Sequence, residues 1–285
     1  MAVVTVSGVQ FGYDEAGQGS PVVFIHAALA DRRMWEHQFQ ALSATHRVVR
    51  FDWRGYGDSD DAAGEFARYE DVLGVMDALG IAQASLVGCS MGAAQALEAA
   101  LAAPERVRAL ALICAGLPDY DWPPEVAAAA AQAITEIIPV ERFAAYRDGR
   151  ADEIDPAHVR GIAELNVRLT VVGPERSPSV LTPEVRDAAI EMCSAMLRRQ
   201  WRRRPPSRER FLEPGVGTRL AEIEVPTLVV KGLADEPSLA AISDRLATEM
   251  ADARLLELPE TGHLPPLERP RETTSALMEF LQEAG

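Results

Sequence analysis

Ser90 stands in Gly88-Cys89-Ser90-Met91-Gly92, behind the apolar run Ala84-Ser85-Leu86-Val87 and ahead of an alanine-rich stretch. This order predicts a strand that turns sharply into a helix with the serine at the turn. Glycines two residues to either side suit such a turn, because a side chain at either position would crowd the neighbouring strand and the helix packed against it. The turn lifts the serine hydroxyl above the sheet edge. It also points the first amides of the helix, beginning with Met91, toward an oxygen that gains charge. The chemistry this favours is nucleophilic attack on an acyl carbon. A serine hydroxyl attacks only if a base takes its proton and a third group orients the base.

His263 is the candidate base. It lies in Gly262-His263-Leu264-Pro265-Pro266, just after the apolar stretch Ala253 to Leu258, so it belongs to a loop at the carboxyl end of a strand, the edge where Ser90 stands. Asp235 follows the strand Thr227 to Lys231, and a carboxylate there can hold the imidazole tautomer and offset the charge of proton transfer. Glu236 and Asp119 are its rivals; Asp235 is preferred over Glu236 because its shorter side chain suits the loop's reach. His26 ends the stretch Val22 to Ile25 beside Ala27 and Ala28. Its expected part is a hydrogen-bonded loop anchor, while the amides of Ala28 and Met91 form the oxyanion pocket. Asp52 and Arg54 are expected to fix the neighbouring loop through a buried ion pair or backbone bonds. Cys89 reads as core packing, since only the central residue of the turn points outward.

Short apolar strands and amphipathic helices must position these groups. Met1 to Val6, Val9 to Tyr13, Pro21 to Ile25, Arg47 to Phe51, Ala84 to Val87, Leu110 to Cys114, Thr227 to Lys231 and Ala253 to Leu258 read as strands. A helix over Tyr69 to Leu79, ended by Gly80, another after Ser90 through Ala103, and a last one over Thr273 to Leu281 lie between or after them. The alternation predicts a mostly parallel sheet covered on both faces. It stops between Pro118 and about Thr218, where Glu125 to Ile138, Val140 to Asp148, Ala157 to Val172 and Pro183 to Trp201 read as helices separated by proline and glycine. This insertion leaves the sheet next to Ser90 and can arch over it as a cap, with core at 1–117 and 218–285 and cap at 118–217. Trp122, Phe143, Met196 and Trp201 are its candidate pocket-lining residues.

The chain has 285 residues, a net charge of −15 and only three cysteines, at 89, 114 and 193. So acidic a chain is a poor partner for nucleic acid or anionic membrane. The basic run from Arg198 to Arg204 reads as a solvated helix end. The cysteine spacing fits neither a metal site nor a disulfide framework. With no secretion signal or bilayer-length apolar stretch, a cytoplasmic protein that does not insert into membranes is expected.

Taken together, these residues resemble the α/β-hydrolase fold superfamily, in particular its capped esterase and lactonase-like serine hydrolases. The resemblance covers residues 9–117 and 218–283: His26 to Trp35 is similar to the oxyanion loop, Asp52 to Ser59 to the loop after the fourth strand, Gly88 to Gly92 to the nucleophile elbow, Gly232 to Asp235 to the acid loop, and Gly262-His263 with Glu268-Arg269-Pro270 to the histidine loop. It implies an eight-stranded sheet with a helical cap after the sixth strand. It further implies Ser90 as nucleophile, His263 as base, Asp235 as orienting acid, and Ala28 and Met91 as oxyanion amides. Ala27 departs from the family's usual glycine. The expected reaction is cleavage of a small carboxylic ester or lactone with an apolar acyl part, through an acyl-enzyme, needing no metal or organic cofactor, by a monomer or homodimer. Carbon–carbon cleavage of a dicarbonyl compound is the alternative, although Leu264 stands where that class often has tryptophan. The non-enzyme alternative is a small-ligand binding protein of the same fold.

Overall fold

The computed structural model describes residues 2–118, 120–202 and 207–284. Asp119 and the end of the basic run, Arg203 and Arg204 with Pro205 and Pro206, lie outside the described residues. The strands are β1 (Ala2–Val6), β2 (Val9–Ala16), β3 (Pro21–Ile25), β4 (Arg47–Phe51), β5 (Gly64–Phe66), β6 (Ala84–Cys89), β7 (Val107–Ile113), β8 (Ser207–Glu209), β9 (Thr227–Gly232) and β10 (Ala253–Leu258). Eight of them form one sheet in the order β1-β2-β4-β3-β6-β7-β9-β10. Only the β1–β2 and β2–β4 pairs are antiparallel; β3, β4, β6, β7, β9 and β10 run parallel. β1 and β2 thus form a hairpin, and β4 separates β2 from β3.

Burial explains the arrangement. Every residue of β6 is buried, as expected for a central parallel strand covered on both faces. Along β3 the side chains alternate between two cores: Val23 and Ile25 join one, Val22 and Phe24 the other. Each such side chain contributes about 1.5–3 kcal/mol on burial, so a one-residue register slip would place every one of them in the wrong layer. Helices α1 (Glu36–Leu42), α2 (Arg68–Ala78) and α3 (Met91–Ala102) precede the insertion, and α8 (Pro237–Glu249), α9 (Pro265–Glu268) and α10 (Pro270–Glu283) follow it. With α3 on β6 and β7 and α8 on β9 and β10, the helices clothe the strands that end at the site.

The helical cap enters after β7, the sixth strand of the large sheet. It comprises α4 (Pro124–Ile137), α5 (Val140–Arg147), α6 (Pro156–Asn166), a π-helical turn at Val167–Val172, and α7 (Pro183–Gln200). The expected helix over 157–172 thus changes pitch after Asn166, a feature that apolar periodicity does not encode. The cap has a small core of its own, with Ile138, Tyr146, Val159, Ile162, Cys193, Leu197 and Trp201. The Trp201 ring stacks on Tyr146 at 4.8 Å. By contrast, α4 buries none of its residues. No helix among the described residues is long and apolar enough to cross a membrane.

Within the basic run read as a solvated helix end, Arg198 and Arg202 are exposed as expected, but Arg199, at the end of α7, is not free in solvent. Its guanidinium donates to the carbonyls of Tyr56 (3.1 Å), Gly57 (2.9 Å) and Ser59 and pairs with Asp61 at 2.5 Å. A fork of five donors suits several carbonyls at once, and here it fastens the cap to the loop after β4. The parallel pair of β5 with β8 adds a second tie nearby.

Candidate active site

Ser90 has φ +56° and ψ −123°, a backbone conformation that costs a non-glycine residue roughly 1–3 kcal/mol. The surroundings hold it there. Its N–H donates to the Ile113 carbonyl at 2.9 Å, and its own carbonyl accepts from Ala93 and Gly116, each at 3.0 Å. The flanking glycines meet the expected crowding: a Cβ on Gly88 would lie 2.4 Å from the Gly92 carbonyl oxygen, and one on Gly92 would lie 2.3 Å from the Ile25 carbonyl oxygen. The chain thus passes between β3 and α3 with no room for a methyl group.

The base and acid arrive from the two loops the strand order predicts. The Ser90 hydroxyl donates to His263 Nε2 at 2.8 Å. His263 Nδ1–H donates to Asp235 Oδ2 at 2.7 Å, and the other oxygen of Asp235 accepts the Glu236 amide at 2.7 Å. All three side chains are buried, which shields the hydrogen bonds from competing water. Ser90, His263 and Asp235 therefore form a complete Ser-His-Asp triad. Glu236, the rival acid, is otherwise engaged: its carboxylate caps α8 by accepting from Ser238 at 2.8 Å and Leu239 at 3.2 Å. Cys89 is fully buried beside the nucleophile, and burial pushes its thiol well above the usual range. It packs in the core, as expected.

His26 is an anchor. The Trp53 amide donates to its Nε2 at 3.1 Å, which leaves Nδ1–H to donate to the Ala27 carbonyl at 2.8 Å. Burial lowers its pKa, so the ring is held neutral. The carbonyl of Ala28 accepts the Tyr56 hydroxyl at 3.0 Å, and that hydroxyl in turn accepts from Gln200 of the cap at 3.1 Å. Asp52 and Arg54 do fix their loop, but with separate partners. Asp52 accepts the amides of Arg32 at 2.9 Å and Asp58 at 3.0 Å and pairs with the Arg32 side chain, while Arg54 pairs with buried Asp71.

Of the candidate pocket residues, Trp122 lines a largely apolar cavity of about 440 Å³ together with Val126, Ala129, Leu169, Thr170 and Leu239. Met196 is partly buried between the cap core and the main core. Phe143 packs edge-on against Trp201 at 6.1 Å within the cap core. Both rings thus serve the packing of the cap. Among the described residues one group has metal-ligand atoms close together, Cys114, Asp235 and His263, within 4.8 Å of one another. Two of its members already carry the triad bonds, and burial raises the Cys114 thiol well above its ordinary range.

Sequence reasoning passed over the cap's contacts with this site. The Thr170 carbonyl, on the π-helical turn, accepts the His263 amide at 3.3 Å, and Arg176 pairs with Glu268. Glu268 was legible as part of the histidine-loop pattern; nothing local distinguishes Arg176 among the chain's arginines.

Residues 22–276 match the alpha/beta hydrolase family. A protein of Azorhizobium caulinodans named as a carbamate hydrolase, RutD, is 29% identical over 261 residues, covering 88% of this chain and 87% of its own. Among solved structures, Est816, described as an N-acyl homoserine lactone degrading enzyme, is 25% identical with a TM-score of 0.70, over 98% of this chain and 100% of its own. The enol-lactonase of Burkholderia xenovorans LB400 is also 25% identical, with a TM-score of 0.69 over 99% and 100% of the two chains. With the match spanning most of the chain and a triad carried on the expected strand ends, the protein belongs to the alpha/beta hydrolase family.

Proposed function

We propose that the protein cleaves a small carboxylic ester or lactone with an apolar acyl part. The observation that carries this is the unbroken line from Ser90 through His263 to Asp235, with bonds of 2.8 and 2.7 Å, at a strained nucleophile turn. Ser90 attacks the carbonyl carbon as its proton passes to His263. The tetrahedral intermediate collapses when His263 returns that proton to the leaving alkoxide, which departs as the alcohol, or stays tethered if the substrate is a lactone. Water, deprotonated by the same imidazole, then attacks the acyl-enzyme and frees the acid and Ser90. The lactone arm draws on the names of the two similar solved structures.

The amides of Ala28 and Met91 are the proposed oxyanion donors. Support comes from their place at the ends of β3 and β6, and from the lack of any hydrogen bond from either amide to another described residue. Trp122 and Met196 are the proposed pocket residues, with the cavity of about 440 Å³ beneath α4 taking the apolar part. The cap domain is placed at residues 118–217, supported by its separate core. A cytoplasmic monomer or homodimer completes the reading; three buried, unpaired cysteines suit a reducing compartment.

A fluorophosphonate probe and a panel of short and long acyl esters, lactones and vinylogous diketones test this reading, with wild type beside Ser90→Ala. Labelling at Ser90 and Ser90-dependent ester or lactone turnover are expected. Folded wild type that fails to label sinks the serine-hydrolase reading. Turnover confined to the diketones would replace it with carbon–carbon cleavage.

A further inference from the structure

We infer that Arg176, a cap residue, is a positioning residue for His263, acting through Glu268. A guanidinium has five N–H donors in a fixed plane, and here each has an acceptor. Nε donates to the Val172 carbonyl at 2.5 Å and one Nη2 hydrogen to the Val171 carbonyl at 3.0 Å, both on the π-helical turn of the cap. The remaining three reach across to the core: Nη1 to the Glu260 carbonyl and to Glu268 Oε1, and Nη2 to Glu268 Oε2 at 3.2 Å. Glu268 Oε2 also accepts the Gly262 amide at 2.8 Å, one residue before the base. The ion pair is nearly dry, with side-chain exposures of 12% and 5%.

The surrounding backbone shows what this fork holds. The His263 amide donates to Thr170, on the same cap turn, at 3.3 Å. A Cβ on Gly262 would sit 2.1 Å from the Val171 carbonyl oxygen and 2.7 Å from Arg176 Nη2, so only glycine lets cap and histidine loop approach this closely. On the acid side, a Cβ on Gly173 would sit 2.0 Å from the Ala234 carbonyl oxygen. The Ala234 amide itself donates to Thr261 at 2.8 Å. Cap turn, acid loop and histidine loop form one packed unit, and Arg176 is its crosslink. Lysine would keep the charge but not the planar fork.

The test compares Arg176→Met, Arg176→Lys and Glu268→Gln with wild type, and adds Arg199→Met, which loosens the cap at its other clamp. Three readouts are used: the steady-state constants on the best ester, the rate of fluorophosphonate labelling, and the downfield proton resonance of His263 Nδ1–H. Arg176→Met is expected to lower kcat about 10- to 100-fold with KM within threefold, to slow labelling in parallel, and to broaden or move the proton resonance. Arg176→Lys recovers less than half of that loss on a logarithmic scale, whereas Arg199→Met leaves the resonance unchanged. Arg176→Lys stands in if the methionine variant does not fold. A folded Arg176 variant with wild-type kcat and resonance overturns the inference, as does the same resonance change in Arg199→Met. The resonance needs no substrate, so the inference is decided even if the ester and lactone reading fails.

Discussion

Replacing Asp235 with asparagine removes a charge while keeping the size of the side chain, and the local hydrogen bonds dictate how the triad responds. One oxygen of Asp235 accepts the Glu236 amide at 2.7 Å and the other accepts His263 Nδ1–H at 2.7 Å. An amide N–H can be met only by the carboxamide oxygen, so the asparagine NH₂ must turn toward His263. Nδ1 then becomes an acceptor and the ring proton moves to Nε2, which faces the Ser90 hydroxyl. The histidine then presents a donor to the group whose proton it should accept. The same substitution in a Ser-His-Asp triad lowers kcat about 10⁴-fold, or about 5.5 kcal/mol at 1.36 kcal/mol per decade. The assay is kcat/KM on the best ester of the panel and the fluorophosphonate labelling rate, with circular dichroism as the check on folding. KM should move little, because the change impairs proton transfer from Ser90 and leaves the substrate contacts in place. A loss smaller than tenfold in Asp235→Asn, or a larger loss in Asp119→Asn, would refute the assignment of the orienting acid.

The remaining predictions probe the supports of the site. Tyr56→Phe removes the donor to the Ala28 carbonyl and the acceptor of Gln200; it should cost about 1–2 kcal/mol in urea unfolding and lower kcat more than it raises KM. Unchanged stability and rate would deny that this hydroxyl holds the loop of Ala28. Gly92→Ala places a methyl against two backbone oxygens, 2.3 and 2.6 Å away, and should destabilise by about 3 kcal/mol or more; a near-native urea midpoint would contradict the packing at the elbow. Burial lowers the His26 pKa in the folded chain, so the unfolded chain binds the proton first as pH falls. Stability is therefore undiminished above about pH 6.5 and declines below it, by no more than about 1.4 kcal/mol per pH unit for one proton. Between pH 7 and 5.5 wild type should lose more stability than His26→Gln, and parallel losses would show that His26 is not the sensor.

The features legible in the sequence are those whose interactions are local. The nucleophile turn needs two glycines and a serine within five residues, so a short string of letters reveals it, as do strands such as β6, buried along its whole length. The base and acid were legible because each follows a strand of the same parallel sheet, which places their loops at one edge. The rival Glu236 was harder to dismiss by spacing alone; a side-chain cap on α8 settles it. The cap was visible as helices but not as contacts. Trp201 and Phe143 suggested pocket walls because large aromatics suit both roles, and only three-dimensional packing shows that they meet each other. Arg199 looked like any basic residue at a helix end until its carbonyl partners in the loop after β4 were in view.

These contacts alter what the cap does. A cap that merely covered the pocket could be exchanged for another with consequences for substrate choice alone. Here the cap reaches the machinery from both sides: Gln200 and Arg199 meet the Tyr56 loop that supports Ala28, while Thr170 and Arg176 meet the loop that carries His263. The clamp at Arg176 and the exposed helix α4 differ in kind, since α4 buries no residue and walls an apolar cavity. Substitutions along Val126, Ala129 and Ala133 should therefore shift preference among acyl groups at nearly constant kcat on the best substrate. Changes at Arg176 should instead lower kcat across all substrates alike. On the proposed pocket, α4 bears on specificity and Arg176 on rate, while Leu169 and Thr170, which line the cavity on the turn that grips the loop of the base, bear on both.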